Sequence, residues 1–115
     1  MRAVTVCVES LAAGLDRFRE VWESGVAQGE LLTFESVEGL HRTLTPNRWA
    51  LVRTLQAEGP LAVRELARRL GRDVKRVHED VAKLKEVGLV EDAAGGVWVP
   101  YDEIRAELTL KRPAA

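Results

Sequence analysis

The chain has 115 residues, 17 Lys and Arg against 18 Asp and Glu, a formal net charge of -1, and 46% hydrophobic residues. That length supports one small domain, and a chain of this size buries roughly two-thirds of its unfolded surface, so it should fold unaided. The longest stretch free of charge, Ala93 to Tyr101, holds two glycines and a proline and falls far short of the ~20 residues of a membrane helix, so no membrane partner is expected. Glu9 interrupts the apolar start, and Asp16, Arg17 and Arg19 follow closely, which argues against a signal peptide and for a cytoplasmic location. With Cys7 as the only cysteine and two histidines, disulfide and structural-zinc scaffolds are excluded, and neither a metal site nor a cofactor is expected.

The near-zero total conceals a segregation. Residues 1 to 41 carry three Arg against seven acids, residues 42 to 85 carry eleven Lys and Arg against five acids, and residues 86 to 115 carry three against six. A basic middle between acidic flanks is the asymmetry expected of a surface that faces a polyanion.

In chain order, Val4, Val6 and Val8 alternate with Thr5, Cys7 and Glu9, the period of a strand with one buried face. Leu11, Leu15, Phe18 and Trp22 then recur at helical spacing behind Ser10, which predicts an amphipathic helix over 11–23, and the glycines of 25–29 make a turn. Residues 31–35 read as a short strand, and Ser36 opens a short helix through about Thr43. The first 44 residues thus form a β-α-β extension.

Thr45-Pro46 marks a new helix start, because threonine caps well and proline is pre-organised for the first helical position. Trp49, Val52 and Leu55 share a face up to Gly59. A second helix spans Ala62 to Leu70 with Val63, Leu66, Ala67 and Leu70 inward, and Gly71 ends it. A third runs from Arg72 or Asp73 to Val87 with Val74, Val77, Val81 and Leu84 inward. Leu89 to Glu91, the turn 92–96 and Val97 to Val99 follow as a β-hairpin. Residues 45–101 form this unit, and in the tail 102–115 the alternation of Ile104, Ala106, Leu108 and Leu110 predicts a strand, with a helix opened by Asp102-Glu103 as the alternative. Trp49 and Trp98 are expected as core anchors and Trp22 as core or interface. Cys7 should be a small packed or edge residue, and His41 and His78 boundary residues.

Helix, tight turn, helix and hairpin is the order of a winged helix-turn-helix, whose second helix enters the major groove. The expected fold class is therefore α+β, a winged helix-turn-helix with an N-terminal strand-helix-strand extension and a C-terminal strand. The outward side of the third helix presents Arg72, Lys75, Arg76, Glu79 and Lys83. Arg76 or Lys75 suits a guanine edge, Glu79 suits cytosine N4, and Lys83 suits phosphate. Arg64 and Arg68 on the preceding helix point from the core toward flanking phosphates. Arg48, Arg53 and Arg69 add positive potential without an assigned role. Read blandly, Lys75 with Glu79, Glu79 with Lys83 and Arg76 with Asp80 are i,i+4 pairs of an ordinary solvated face. The order of elements and the charge segregation favour double-stranded DNA over that reading. No phosphate loop, paired-carboxylate motif or nucleophile signature occurs, so an enzyme is not expected.

The segments LTPNRWALVRTL, VRELARRLGRDVKRVHEDVAKLKEVGLVE and VPYDEI resemble the small prokaryotic winged helix-turn-helix regulators related in fold to the MarR and ArsR groups, some of which are antitoxins encoded beside a toxin. The likeness covers residues 32 to 104 and is densest in LGRDVKRVHEDV. It implies a transcriptional regulator, a repressor by expectation, whose reading helix is residues 72–87. Such domains bind as homodimers to paired half-sites, and the N-terminal strand and helix and the C-terminal strand are the expected interface. The alternative is an antitoxin or interaction module that neutralises a cognate toxin or other basic protein through the acidic N-terminal part. The hairpin carries Glu91 and Asp92 with no Lys or Arg between Glu86 and Tyr101, so the two helices should supply most of the affinity.

Overall fold

The computed structural model describes residues 1–9, 30–110 and 112, so the helix expected over 11–23 and Trp22 lie outside the described residues. The described residues form an α+β fold with four helices and two small sheets. In order come β1 (Ala3–Val8), β2 (Glu30–Phe34), α1 (Val37–Thr43), α2 (Pro46–Glu58), α3 (Val63–Leu70), α4 (Val74–Val87), β3 (Glu91–Ala93), β4 (Gly96–Trp98) and β5 (Glu103–Glu107).

Three helices start on capping side chains. Ser36 Oγ accepts from Gly39 N at 3.0 Å, Thr45 Oγ1 from Arg48 N at 3.3 Å with Pro46 in the first turn, and Asp73 Oδ2 from Arg76 N at 3.2 Å. Each satisfies one backbone N–H that the first turn leaves open. α3 has Ala62 at that position and no side-chain cap. It ends at Gly71, whose left-handed φ of 65° lets its N–H reach back to the last carbonyls and turns the chain at once toward α4.

The first sheet is parallel, with β1 between β2 and β5. Val6 lies opposite Leu32 on one side and Ala106 on the other. The second sheet is the antiparallel hairpin β3–β4, extended by a bridge in which Leu61 and Val97 exchange backbone hydrogen bonds at 3.0 and 2.9 Å. Both sheets and the helices share one core. Val4 and Val6 join Leu44, the inward residues of α2 (Leu51, Val52, Leu55), α3 (Leu66, Ala67) and α4 (Val77, Val81, Leu84), and then Leu89, Val90, Val97, Val99 and Tyr101. Burying that contiguous apolar surface is the main stabilising term.

Several sequence expectations shift. Leu89 and Val90 are buried but not in a strand, because their N–H groups both bond Leu84 O, at 3.0 and 3.3 Å, in closing α4; the hairpin starts at Glu91 instead. Trp98 is not a core anchor: Val97 and Val99 face inward, so the two-residue period turns Trp98 outward, 37% exposed. Val74, in the first turn of α4, is also exposed, whereas Val77 is fully buried. The C-terminal segment is a strand, not a helix, but its pairing ends at Glu107, and Leu108 and Leu110 stand exposed. Cys7 is buried in the central strand, its Sγ 3.8 Å from Thr33 Oγ1.

Candidate nucleic-acid interface

α4 sets the site. Val77, Val81 and Leu84 are buried, and at about 100° per residue the opposite side of the helix holds Lys75 and Glu79, with Arg76 on one flank. These three are exposed. Among the described residues none of the three side chains has an ion-pair or hydrogen-bonding partner, and neither does Arg64, exposed near the start of α3.

The other sequence-predicted residues are engaged. Arg72 is half-buried and stands before the cap Asp73, not on the helix; its Nη1 lies 2.8 Å from Asp80 Oδ2. Lys83 is within 3.6 Å of Glu86. Arg68 bonds Glu65, which also takes Arg69 Nε at 3.1 Å, while Arg69 Nη1 meets Glu58 at 2.6 Å. The hydrogen bonds from Arg68 and then Arg69 hold the Glu65 carboxyl well below the usual range, at about 2. So Arg64, Lys75, Arg76 and Glu79 face solvent unengaged, and Arg68, Arg72 and Lys83 already hold acids of the chain.

Sequence reasoning gave Asp80 only a place on the solvated face, paired with Arg76. Asp80 is only 9% exposed, and it is held by two arginines from outside its own helix. Arg48 of α2 donates from Nε to Asp80 Oδ1 at 2.9 Å and from Nη1 to Thr43 O at 2.9 Å. Arg72 supplies the second positive charge in close contact without hydrogen-bond alignment, both facing atoms being shut off from solvent. The available signal was positional: Asp80 lies only about 60° from Val77 around the helix, at the edge of the apolar stripe. Of the three i,i+4 pairs of the bland reading none forms among the described residues: Asp80 turns inward to Arg48 and Arg72, and Lys83 lies nearest Glu86.

An open cleft of about 500 Å³ runs beside this cluster, lined by Arg72, Asp73, Lys75, Arg76, Glu79 and Asp80. A second, of about 300 Å³, lies between α4 and the hairpin and includes Val63, His78, Val81, Lys85, Asp92 and Val97. Lys85 Nζ reaches Asp92 Oδ1 at 2.8 Å across it. Glu91 is paired as well, to Arg2 at 3.1 Å. Both hairpin acids are therefore matched by cations from other elements, and the hairpin repels an anion less than its composition suggests.

Among the described residues no group of three His, Cys, Asp or Glu could hold a metal ion, and no helix is long and apolar enough to cross a membrane. Fold and site together define a small α+β domain in which two helices meet at a tight turn, a hairpin flanks them, and the second helix exposes unpaired cations at its start. Residues 43–106 match the HVO_A0114 family. That is more than half of the chain, which belongs to this family. The searches of curated proteins and of solved structures returned no match.

Proposed function

We propose that the protein is a sequence-specific DNA-binding regulator of the winged helix-turn-helix type, acting in the cytoplasm as a homodimeric repressor and not as an enzyme. In this reading α3 and α4 are the helix-turn-helix pair, α4 enters the major groove, and β3–β4 with Leu61 is the wing. One observation carries it. Arg2, Arg48, Arg68, Arg69, Arg72, Lys83, Lys85 and Arg105 contact acids of the chain, whereas Arg42, Arg53, Arg64, Lys75, Arg76 and Arg112 contact none among the described residues, and of these Lys75 and Arg76 alone stand side by side, in the first turn of α4.

A helix start carrying two unmatched cations and one unmatched carboxylate suits base-edge reading. Arg76 or Lys75 would donate to guanine O6 and N7, and Glu79 would accept from cytosine N4. Arg64 would take a flanking phosphate, and Lys83 another by exchanging its 3.6 Å contact with Glu86 for a DNA oxygen. Arg72 braces the reading helix through Asp80 rather than touching DNA. Two reading helices in a dimer would sit about 34–36 Å apart, one turn of duplex.

Selection of bound sequences from a random DNA pool at fixed salt tests the reading. The expected result is a palindromic consensus with half-sites one turn apart. Recovery of a pool no different from the input would overturn it.

A further inference from the structure

β5 is an edge strand: its one strand neighbour among the described residues is β1. Arg105, Ala106 and Glu107 are exposed. The apolar alternation of Ile104 and Ala106 continues past the paired segment to Leu108 and Leu110, which are 45% and 78% exposed. An uncovered edge with apolar residues on one face is a template for another strand. The charges on its other face decide which strand fits. Arg105 sits between Glu103 and Glu107, and its present contact is a 3.5 Å approach to Glu103 on its own strand with both side chains about half or more exposed.

Three antiparallel self-pairings place a two-fold axis at the middle of this segment. With the axis at Arg105, Arg105 would face itself and Glu103 would face Glu107, like against like. With the axis at Ile104, Arg105 would face Glu103, but Leu108 would face Pro100 and its apolar side would stay uncovered. With the axis at Ala106, Arg105 faces Glu107 and Ile104 faces Leu108, each twice by symmetry, and the small Ala106 meets itself. Directly opposed side chains lie within about 5.5 Å of one another, where opposite charges attract and like charges repel. The other edge, β2, offers no such match: Glu30 is already held by Arg2 at 2.8 Å, and Leu31 to Phe34 carry no charge.

We infer that β5 pairs antiparallel with β5 of a second copy in the register centred on Ala106, so that one sheet runs without a break through both copies. This rests on the dimeric part of the function proposed above and not on its DNA-reading part. Arg105 leaves Glu103 for Glu107 of the second copy, and Leu108 is covered by Ile104.

Sedimentation of the full chain at micromolar concentration without DNA is expected to give a dimer. Arg105→Glu and Glu107→Arg, each placing like charges opposite one another twice, should weaken it about tenfold or more, and the double variant R105E/E107R should restore it. Under mild oxidation Ala106→Cys should link two copies faster than Arg105→Cys, because only the residue on the axis comes within disulfide reach of itself. A monomeric wild-type chain, a dimer equally tight in single and double variants, or faster linking through Arg105→Cys would each overturn the proposal. A monomer that still selects a DNA consensus would remove this interface and leave DNA reading intact. A dimer rescued by the charge swap but without sequence selection would uphold the interface and remove the reading.

Discussion

Arg48 of α2 donates from Nε to Asp80 of α4 at 2.9 Å, and this bond fixes how the exposed face of α4 is held against the rest of the chain. Arg72 lies 2.8 Å from the other carboxylate oxygen, so one largely buried acid joins α2, the turn after α3 and α4. A carboxylate in that position would be costly alone, and two guanidinium groups compensate it. The exposed Lys75, Arg76 and Glu79 start from a helix whose first half is pinned at this point.

Replacing Asp80 with Ala leaves two arginines facing each other with most of their surface covered. The expected loss is about 2–4 kcal/mol, toward the lower end of what breaking a buried pair costs, because each arginine keeps about a fifth of its side chain in water and can turn outward. Urea unfolding of the variant beside the wild type measures it. A loss below about 0.5 kcal/mol would show the cluster to behave as a surface pair.

Much of the α-helical part is legible in the sequence because its signals are local. Thr45-Pro46, Asp73, Gly71 and Gly88 sit where the helices begin and end, each for a reason confined to one turn of backbone. What is not legible depends on groups distant in sequence. Arg72 projects onto the outward face only if the helix is extended backward through it; once Asp73 is the cap, the turn geometry aims Arg72 at Asp80 instead. Trp98 reads as core by its chemistry, yet strand parity gives the inward places to Val97 and Val99. The parallel pairing of β1 with β5 joins the two ends of the chain, and no periodicity within either strand names its partner.

Gly96 offers a test of how the hairpin is attached. Its φ is 150°, and a Cβ there would lie 2.0 Å from Leu61 O, the carbonyl that accepts from Val97 N. Gly96→Ala must break that bridge or strain the backbone, so a loss of about 2 kcal/mol or more is expected. Gly95 has a φ of 87° with nothing near its missing Cβ, so Gly95→Ala should cost only the ~1 kcal/mol of a left-handed conformation. Thermal unfolding of the pair checks the order. Equal losses would refute the steric account.

Tyr101 predicts an alkaline limit. Its hydroxyl donates to Gly88 O at 3.2 Å, and the Arg2 guanidinium stands 4.8 Å from its ring centroid. Burial, followed by the charge of Glu30, raises its pKa above the ordinary value near 10 against the opposing pull of Arg2. The folded state therefore holds the phenol proton more tightly than the unfolded chain. This contribution is fully present below pH 10 and is lost as pH rises through the folded-state value. Tyr101→Phe should lose about 1 kcal/mol at neutral pH with the hydrogen bond, and its stability should fall less than the wild type's between pH 9 and 11. Parallel slopes for the two proteins would exclude the assignment.

Within the proposed regulator, two substitutions on one helix should fail differently. Arg76 is exposed and unpaired among the described residues and suits a base edge. Arg76→Ala should therefore cost ~1–3 kcal/mol against the preferred sequence and relax discrimination at one base pair per half-site. Lys83, further along α4, suits phosphate. Lys83→Ala should weaken binding to every sequence alike and reduce the slope of log affinity against log salt by about 1. Arg72→Ala provides the contrast. Its partner is Asp80 at 2.8 Å, so it should lower folding stability first, and its salt slope should match the wild type's at temperatures where both are folded. Titrations of the selected site and of a scrambled duplex at several salt concentrations separate the three. If Arg76→Ala and Lys83→Ala both leave affinity and discrimination unchanged, α4 is not the reading element.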